Sequence, residues 1–283
     1  MSSSGRVLKK QADLFSVEFE NGEVFDCVAR KNLKKDGVFV GDFVEIDDSN
    51  AIFKVKQRKN LLIRPPVANI DKMLIVLAPI PKADLYTTDK LILFCRLNAI
   101  EPVICVNKND LDSDYCEKVG KIYQNIAKTI IISTKDDSIE KVKSQIKGVC
   151  VLAGQSAVGK SSIINALSGD EVAKVDTLSK KVERGKQTTR VVQLFKFGKD
   201  KYLADTAGFS KLDENLLDLE AEEVKAYYPE FLKYAPLCKY KSCLHLSDKD
   251  CGVCQALKAG KIDTTRYENY KKLVSVIKNL KKF

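Results

Sequence analysis

The sequence predicts an α/β protein: a permuted P-loop GTPase domain, with an N-terminal β-barrel of the oligonucleotide-binding type before it and a C-terminal helical zinc-binding domain after it. Three observations carry this. First, a complete phosphate-binding loop, Gly154-Gln-Ser-Ala-Val-Gly159-Lys160-Ser161, follows Asn107-Lys108-Asn109-Asp110, the tetrapeptide with which GTP-binding proteins read guanine, and precedes Asp205-Thr-Ala-Gly208. In an ordinary GTPase domain the phosphate loop comes first, so this order is what cutting and rejoining such a domain produces. Second, apolar and polar residues alternate through the first 64 positions, then give way to strand and helix signals in turn. Third, four cysteines and the only histidine crowd between Cys238 and Cys254.

The expected barrel occupies residues 1–64. Phe15, Val17 and Phe19 face one way, with Ser16 and Glu18 the other. Asn21-Gly22 reads as a hairpin turn, because both residues tolerate positive φ, and Gly41-Asp42 as a second turn leading into Phe43–Ile46. Ala51–Val55 gives a further strand. The basic run Lys54, Lys56, Arg58 and Lys59 suits either phosphate contacts on the barrel or a strand edge protected by lysines. Arg64-Pro65-Pro66 reads as a linker. The GTPase domain is expected over 65–225, with strands at Met73–Leu77 and Val103–Val106, a helix near Asp89–Leu97, and the strand-loop-helix that Val149–Leu152, the phosphate loop and Ser161–Leu167 supply. The zinc-binding domain is expected over 226–283.

Composition sets bounds. No stretch approaches the roughly 18 apolar residues a membrane helix needs, and the N-terminus lacks the apolar core of a secretion signal, so a cytoplasmic location without membrane contact is expected. Nine cysteines, an odd number, argue against a disulfide framework. Of the net charge of +10, residues 226–283 hold +7 (12 Lys+Arg against 5 Asp+Glu), which points to a polyanionic partner near that end.

Each nucleotide motif has a chemical reading. Glycines let backbone N–H groups curl round an anion at a helix N-terminus, where the dipole favours negative charge. Lys160 would neutralise the β and γ phosphates, and Ser161 would ligate magnesium. Asp110 would accept from guanine N1–H and the exocyclic amine; adenine leaves that carboxylate unmatched, which disfavours an ATPase or small-molecule kinase. Lys108 would pack its stem along the base, and Asn107 would tie its loop to the phosphate loop. Ser133-Thr134-Lys135 is similar to a second guanine-contacting loop, with the Thr134 N–H aimed at the base oxygen. Asp205 suits a second carboxylate behind magnesium, and the Gly208 N–H a contact to the γ phosphate.

The chain resembles the circularly permuted, ribosome small-subunit-dependent GTPases of bacteria. The likeness covers nearly its whole length, through Arg64-Pro-Pro-Val-Ala-Asn-Ile-Asp71, Asn107-Lys108-Asn109-Asp110, Gly154-Gln155-Ser156-Ala157-Val158-Gly159-Lys160-Ser161-Ser162, Arg184-Gly-Lys-Gln-Thr-Thr-Arg190, Asp205-Thr-Ala-Gly-Phe209 and the cysteine cluster. The resemblance implies a GTP hydrolase acting on the maturing 30S ribosomal subunit and contacting rRNA through its terminal domains, with GTP/GDP, Mg2+ and one Zn2+ per chain; a monomer is expected. It also implies that 185–190 is switch I, with Thr189 on magnesium and Thr188 beside it. The family histidine of that segment is matched here by Gln187, and Phe209 replaces the glutamine of ordinary GTPases. An amide orients an attacking water but cannot take its proton. The rival reading is therefore a guanine-nucleotide-binding RNA scaffold with vestigial hydrolysis.

Cys238-x4-Cys243-x-His245-x5-Cys251 offers three thiolates and one imidazole, a closed set of the structural-zinc kind. Spacing alone also admits Cys254, with His245 standing aside; the resemblance favours Cys238, Cys243, His245 and Cys251. Beyond the cluster, Tyr267, Tyr270, Val274, Ile277 and Leu280 fall on one face of a terminal helix, with Lys271, Lys272, Lys278 and Lys282 on the rest.

Overall fold

The computed structural model describes residues 3–34, 37–63, 66–167, 192–205, 219–246 and 249–280. Alternation in the first segment closes into a barrel of β1 (Ser3–Gln11), β2 (Leu14–Phe19), β3 (Val24–Ala29), β4 (Phe43–Ile46) and β5 (Ala51–Val55), ordered β1-β2-β3-β5-β4 with β4 closing on β1. Val7, Phe15, Val17, Val44, Ile46 and Ile52 fill it. At the β2–β3 turn only Gly22 takes positive φ, 86°, and its N–H donates to the Phe19 carbonyl; Asn21 does not share that conformation.

Two local expectations need correction, and the basic run acquires partners. Glu18 does not face water: it is 6% exposed, because the outer face of the barrel at that point is covered by the neighbouring sheet. The basic run is occupied within the molecule. Arg58 grips both oxygens of buried Asp42 at 2.7 and 2.9 Å and also donates to the Gly37 carbonyl, while Lys54 pairs with Glu45, Lys56 donates to Ser4 and Lys59 pairs with Asp71. Finally, the expected linker is partly strand. Pro66–Ala68 (β7) pairs antiparallel with Leu61–Ile63 (β6), a place open to proline because it starts the strand, and Val67 and Ala68 are buried.

The central sheet runs β10-β9-β8-β11-β13-β12. Its members are β8 (Lys72–Leu77), β9 (Glu101–Val106), β10 (Lys128–Ile131), β11 (Gly148–Ala153), β12 (Leu194–Lys196) and β13 (Lys201–Asp205); all neighbours are parallel except the β12–β13 hairpin. Near-continuous apolar strands such as Met73–Leu77 follow from burial on both faces. Helices α1 (Leu85–Leu97), α2 (Ser113–Tyr123) and α3 (Glu140–Lys143) connect the first half, and α4 opens at residue 160, described as far as 167. The C-terminal part holds α5 (Pro229–Leu232), α6 (Gly252–Lys258) and α7 (Thr264–Leu280). On α7 the stripe Tyr267, Tyr270, Val274 and Ile277 is buried as expected, but Leu280 is exposed, since the helix has run past its support. One apolar cluster joins the sheet's α1 face to this region, from Ile75 and Val151 through Phe231 to Tyr270 and Ile277.

Candidate nucleotide site and metal centre

Parallel strands deliver three motifs to one edge of the sheet. β9 ends at Val106 and releases Asn107–Asp110; β10 ends at Ile131, two residues before Ser133; β11 ends at Ala153 and releases the phosphate loop. This is the carboxyl edge, where open α/β sheets bind ligands. β13 brings the backbone of Asp205 alongside Leu152.

The phosphate loop is shaped by close approaches. Gly154 has φ 134°, and a Cβ there would lie 2.3 Å from the Val76 carbonyl oxygen. Gly159 has φ 102°, and a Cβ there would meet the Asn107 side-chain nitrogen at 2.3 Å. A side chain at Gly154 would collide with backbone, and one at Gly159 would be strained by its φ and would displace the Asn107 amide. Asn107 donates to the Val158 carbonyl at 3.0 Å, the tie between the two loops expected from the sequence. Lys108 donates to the carbonyls of Ala157 and Ile80 at 2.8 and 2.6 Å, so its stem crosses from one loop to the other. Lys160 folds back on the carbonyls of Gly154 and Gln155 at 2.8 and 2.6 Å. Ser156, Ala157, Ser161 and Ser162 are exposed at the mouth, and Val158 is buried behind it.

Asp110 stands at the far end of the edge. Ser133, wholly buried, donates its hydroxyl to one carboxylate oxygen at 2.8 Å, and Lys135 donates to the other at 2.6 Å. The hydrogen bonds from Lys135 and Ser133 hold the Asp110 carboxyl below the usual carboxylate range, so it is an anion ready to accept. Ser133 is oriented in turn by its N–H donating to Ser138 at 2.8 Å. Thr134 is half-buried beside it.

Sequence reasoning missed Lys135 as a partner of Asp110, Ser138 as the support of Ser133, and the Gln155 side chain, which accepts from the Asp84 N–H at 3.1 Å at the start of α1. Lys135 left a trace as the last residue of the Ser133-Thr134-Lys135 tripeptide, and Gln155 as a member of the phosphate loop, but Ser138 left none. Gln187, Thr188, Thr189, Gly208 and the Asp205 side chain lie outside the described residues.

The cysteine cluster converges. The ligand atoms of Cys238, Cys243, His245 and Cys251 all lie within 4.8 Å of one another. A tetrahedral ion with bonds of about 2.3 Å to sulfur and about 2.0 Å to nitrogen needs sulfur–sulfur edges of about 3.8 Å and sulfur–nitrogen edges of about 3.5 Å. The Cys238–Cys251 sulfurs are 3.7 Å apart, and His245 Nδ1 lies 3.5 and 3.4 Å from them. These three donors are therefore spaced for a metal of zinc's size, and Cys243 brings its sulfur within 4.8 Å of each of them. Burial pushes the Cys251 thiol well up, so without a cation it is held neutral. Cys254 has another place: its N–H donates to the Cys251 sulfur at 3.4 Å, while its own sulfur lies 3.5 Å from the His245 carbonyl and from the Tyr267 hydroxyl. Phe231 packs edge-on against the His245 ring at 5.8 Å.

Comparison with known proteins bears on what this edge does. A family model described as RsgA GTPase matches residues 55–215. The chain belongs to the RsgA GTPase family. It is accordingly a GTP-hydrolysing enzyme. Among curated relatives, the small ribosomal subunit biogenesis GTPase RsgA of Geobacillus sp. is 36% identical, with 99% of both chains covered, and that of Caldanaerobacter subterraneus subsp. tengcongensis is 35% identical over 98% of this chain and 97% of its own. The crystal structure of YjeQ from Thermotoga maritima superposes with a TM-score of 0.80 at 32% identity, covering 98% of this chain and 99% of that one. That of YloQ, described as a circularly permuted GTPase, gives 0.78 at 30%, covering 99% and 96%.

Proposed function

We propose that this GTPase is an assembly factor of the small ribosomal subunit, contacting rRNA through its barrel (1–64) and its zinc-binding domain (226–283), and that its hydrolytic domain (65–225) times its departure. The observation that carries the proposal is full-length similarity to relatives named small ribosomal subunit biogenesis GTPases, both terminal parts included. The +7 charge of 226–283 supports a polyanionic partner there. Cytoplasmic location belongs to the same reading, and no helix among the described residues is long and apolar enough to cross a membrane.

In this reading Asp110 recognises guanine, Asn107 and Lys108 brace its loop, and the Thr134 N–H meets the base oxygen. Backbone N–H groups of 154–162 and the Lys160 ammonium hold the phosphates. Ser161 and Thr189 would hold magnesium, with Asp205 behind it; the ion, when bound, neutralises charge on the β and γ phosphates. Gln187 orients the attacking water, a task an amide performs without accepting a proton, and Gly208 contacts the γ phosphate. Cys238, Cys243, His245 and Cys251 would hold one structural zinc, whose chemistry is to cross-link its ligands. The rival scaffold reading is not favoured, since the family is one of GTP-hydrolysing enzymes.

The test is GTP turnover with and without purified small subunits. Stimulation by the subunit is expected. Gln187→Ala should lower the stimulated single-turnover rate by tenfold or more, at least about 1.4 kcal/mol of barrier, with affinity little altered. Turnover indifferent to the subunit would sink the assembly-factor reading.

A further inference from the structure

Two side-chain pairs, one from each sheet, meet where the barrel covers the central sheet. Arg6 and Glu18 are cross-strand partners on β1 and β2. They face Lys196 and Tyr202, cross-strand partners on β12 and β13. One oxygen of Glu18 accepts from the Tyr202 hydroxyl at 2.6 Å, and the other is ion-paired with Lys196. The Arg6 guanidinium lies over the Tyr202 ring at 4.9 Å and over Phe43 of its own barrel at 4.1 Å. A backbone bridge between Lys9 and Gln193 continues the contact to the residue before β12.

A carboxylate on the outer face of a small barrel belongs in water. Here it is 6% exposed, and among the described residues the two groups in direct contact with its oxygens both come from the β12–β13 hairpin, with Arg6 of the barrel adding a favourable charge. Folding of the barrel does not explain that position. The hairpin gains from outside support, because among the described residues β12 is a three-residue strand at the sheet edge paired with β13. Its place in the chain gives the support a purpose. β12 begins four residues after Arg190, the end of the segment carrying Gln187 and Thr189, and β13 ends at Asp205, three residues past Tyr202 and in register with Leu152 just ahead of the phosphate loop.

We propose that Glu18 is a positioning residue for GTP hydrolysis: by holding Tyr202 and Lys196 from the barrel, it fixes the β12–β13 hairpin and thereby the backbone of Asp205, in register with Leu152 just ahead of the phosphate loop. This rests on the reading of Asp205 and Thr189 as magnesium-side residues. The barrel is then part of the hydrolytic machinery and not only a second binding module. Burial and the Glu18 carboxylate raise the Tyr202 pKa, which keeps its hydroxyl a donor throughout the working pH range.

The test uses the full chain, measuring single-turnover GTP hydrolysis alongside affinity for a fluorescent GDP. Glu18→Ala is expected to slow hydrolysis by about tenfold to a hundredfold while nucleotide affinity stays within about twofold. Glu18→Gln, which keeps an acceptor for Tyr202, should recover most of the rate, and Tyr202→Phe should cost little more in the Glu18→Ala background. Wild-type hydrolysis in a folded Glu18→Ala protein overturns the proposal, as does equal loss of rate and affinity, the mark of general damage. Should Glu18→Ala fail to fold, Tyr202→Phe alone carries the same comparison. Asp205→Asn and Thr189→Ala separate the two layers: if they retain turnover, the underlying reading fails, whereas if they lose it and the Glu18 variants do not, only the positioning role fails.

Discussion

At the scale of single residues, Asp110 shows how a carboxylate is held in one orientation. Its carboxylate is already an anion, with both oxygens held by Ser133 and Lys135, which in the proposed reading would present guanine with an oriented acceptor. Asp110→Asn replaces one acceptor with a donor. GDP affinity should fall by about a hundredfold, and preference should move towards xanthine nucleotides, whose extra oxygen matches the new donor. Competition titrations with guanine and xanthine nucleotides measure this, and an unchanged preference would remove Asp110 from the site. Asn107 and Gly159 make the complementary point: the loop pair packs so closely that a side chain in place of the glycine would displace the Asn107 amide as well as strain φ.

At the scale of elements, the metal cluster is assembled by short pieces that could not hold themselves. α5 and α6 have four and seven residues, below the length at which an isolated helix is stable in water. The four cluster residues between them would supply the cross-link once a metal is bound, with Phe231 and Tyr267 packed beside it. Metal analysis should find about one zinc per chain. Cys243→Ser should abolish it, together with cooperative unfolding of this region, whereas Cys254→Ser should retain it, because that sulfur faces Tyr267 and a carbonyl. Zinc lost from Cys254→Ser and kept in Cys243→Ser would reverse the ligand assignment.

At the scale of the whole molecule, the C-terminal region is fastened to the GTPase core by a buried ion network. Arg266, 2% exposed, pairs with Asp89 of α1 at 2.5 Å and with Glu230 at 2.8 Å, and Asn269 and Tyr123 complete the hydrogen bonds of Asp89 at 2.7 and 3.0 Å. Burial alone would lower the pKa of Arg266; the facing carboxylates of Asp89 and Glu230 reverse this and raise it, so the cation persists at any working pH. Arg266→Met should cost about 3–5 kcal/mol of unfolding free energy, since Asp89 is left buried without its counter-ion. Denaturant titration checks this, and a loss within about 0.5 kcal/mol, the range of an ordinary surface change, would show the network to be dispensable.

The sequence by itself determined the permuted order of the motifs, the strand-loop-helix round Lys160, the barrel strands and the short span of the cysteine–histidine cluster, within which spacing left Cys254 open beside Cys238, Cys243, His245 and Cys251. These were legible because each depends on local spacing: period-two alternation, glycines at fixed offsets, or thiols within a short span. What only the tertiary structure decided is how distant stretches answer one another. Glu18 alternates as a solvent-facing residue and is buried because Tyr202, 184 residues away, arrives opposite it. Arg266 reads as one more cation of a basic tail, yet it is the counter-ion of Asp89 across 177 residues. Arg58 reads as one more cation of a basic run, and it braces Asp42. A charged side chain carries no periodic signature of its eventual partner, and its burial follows from which surfaces the fold brings together.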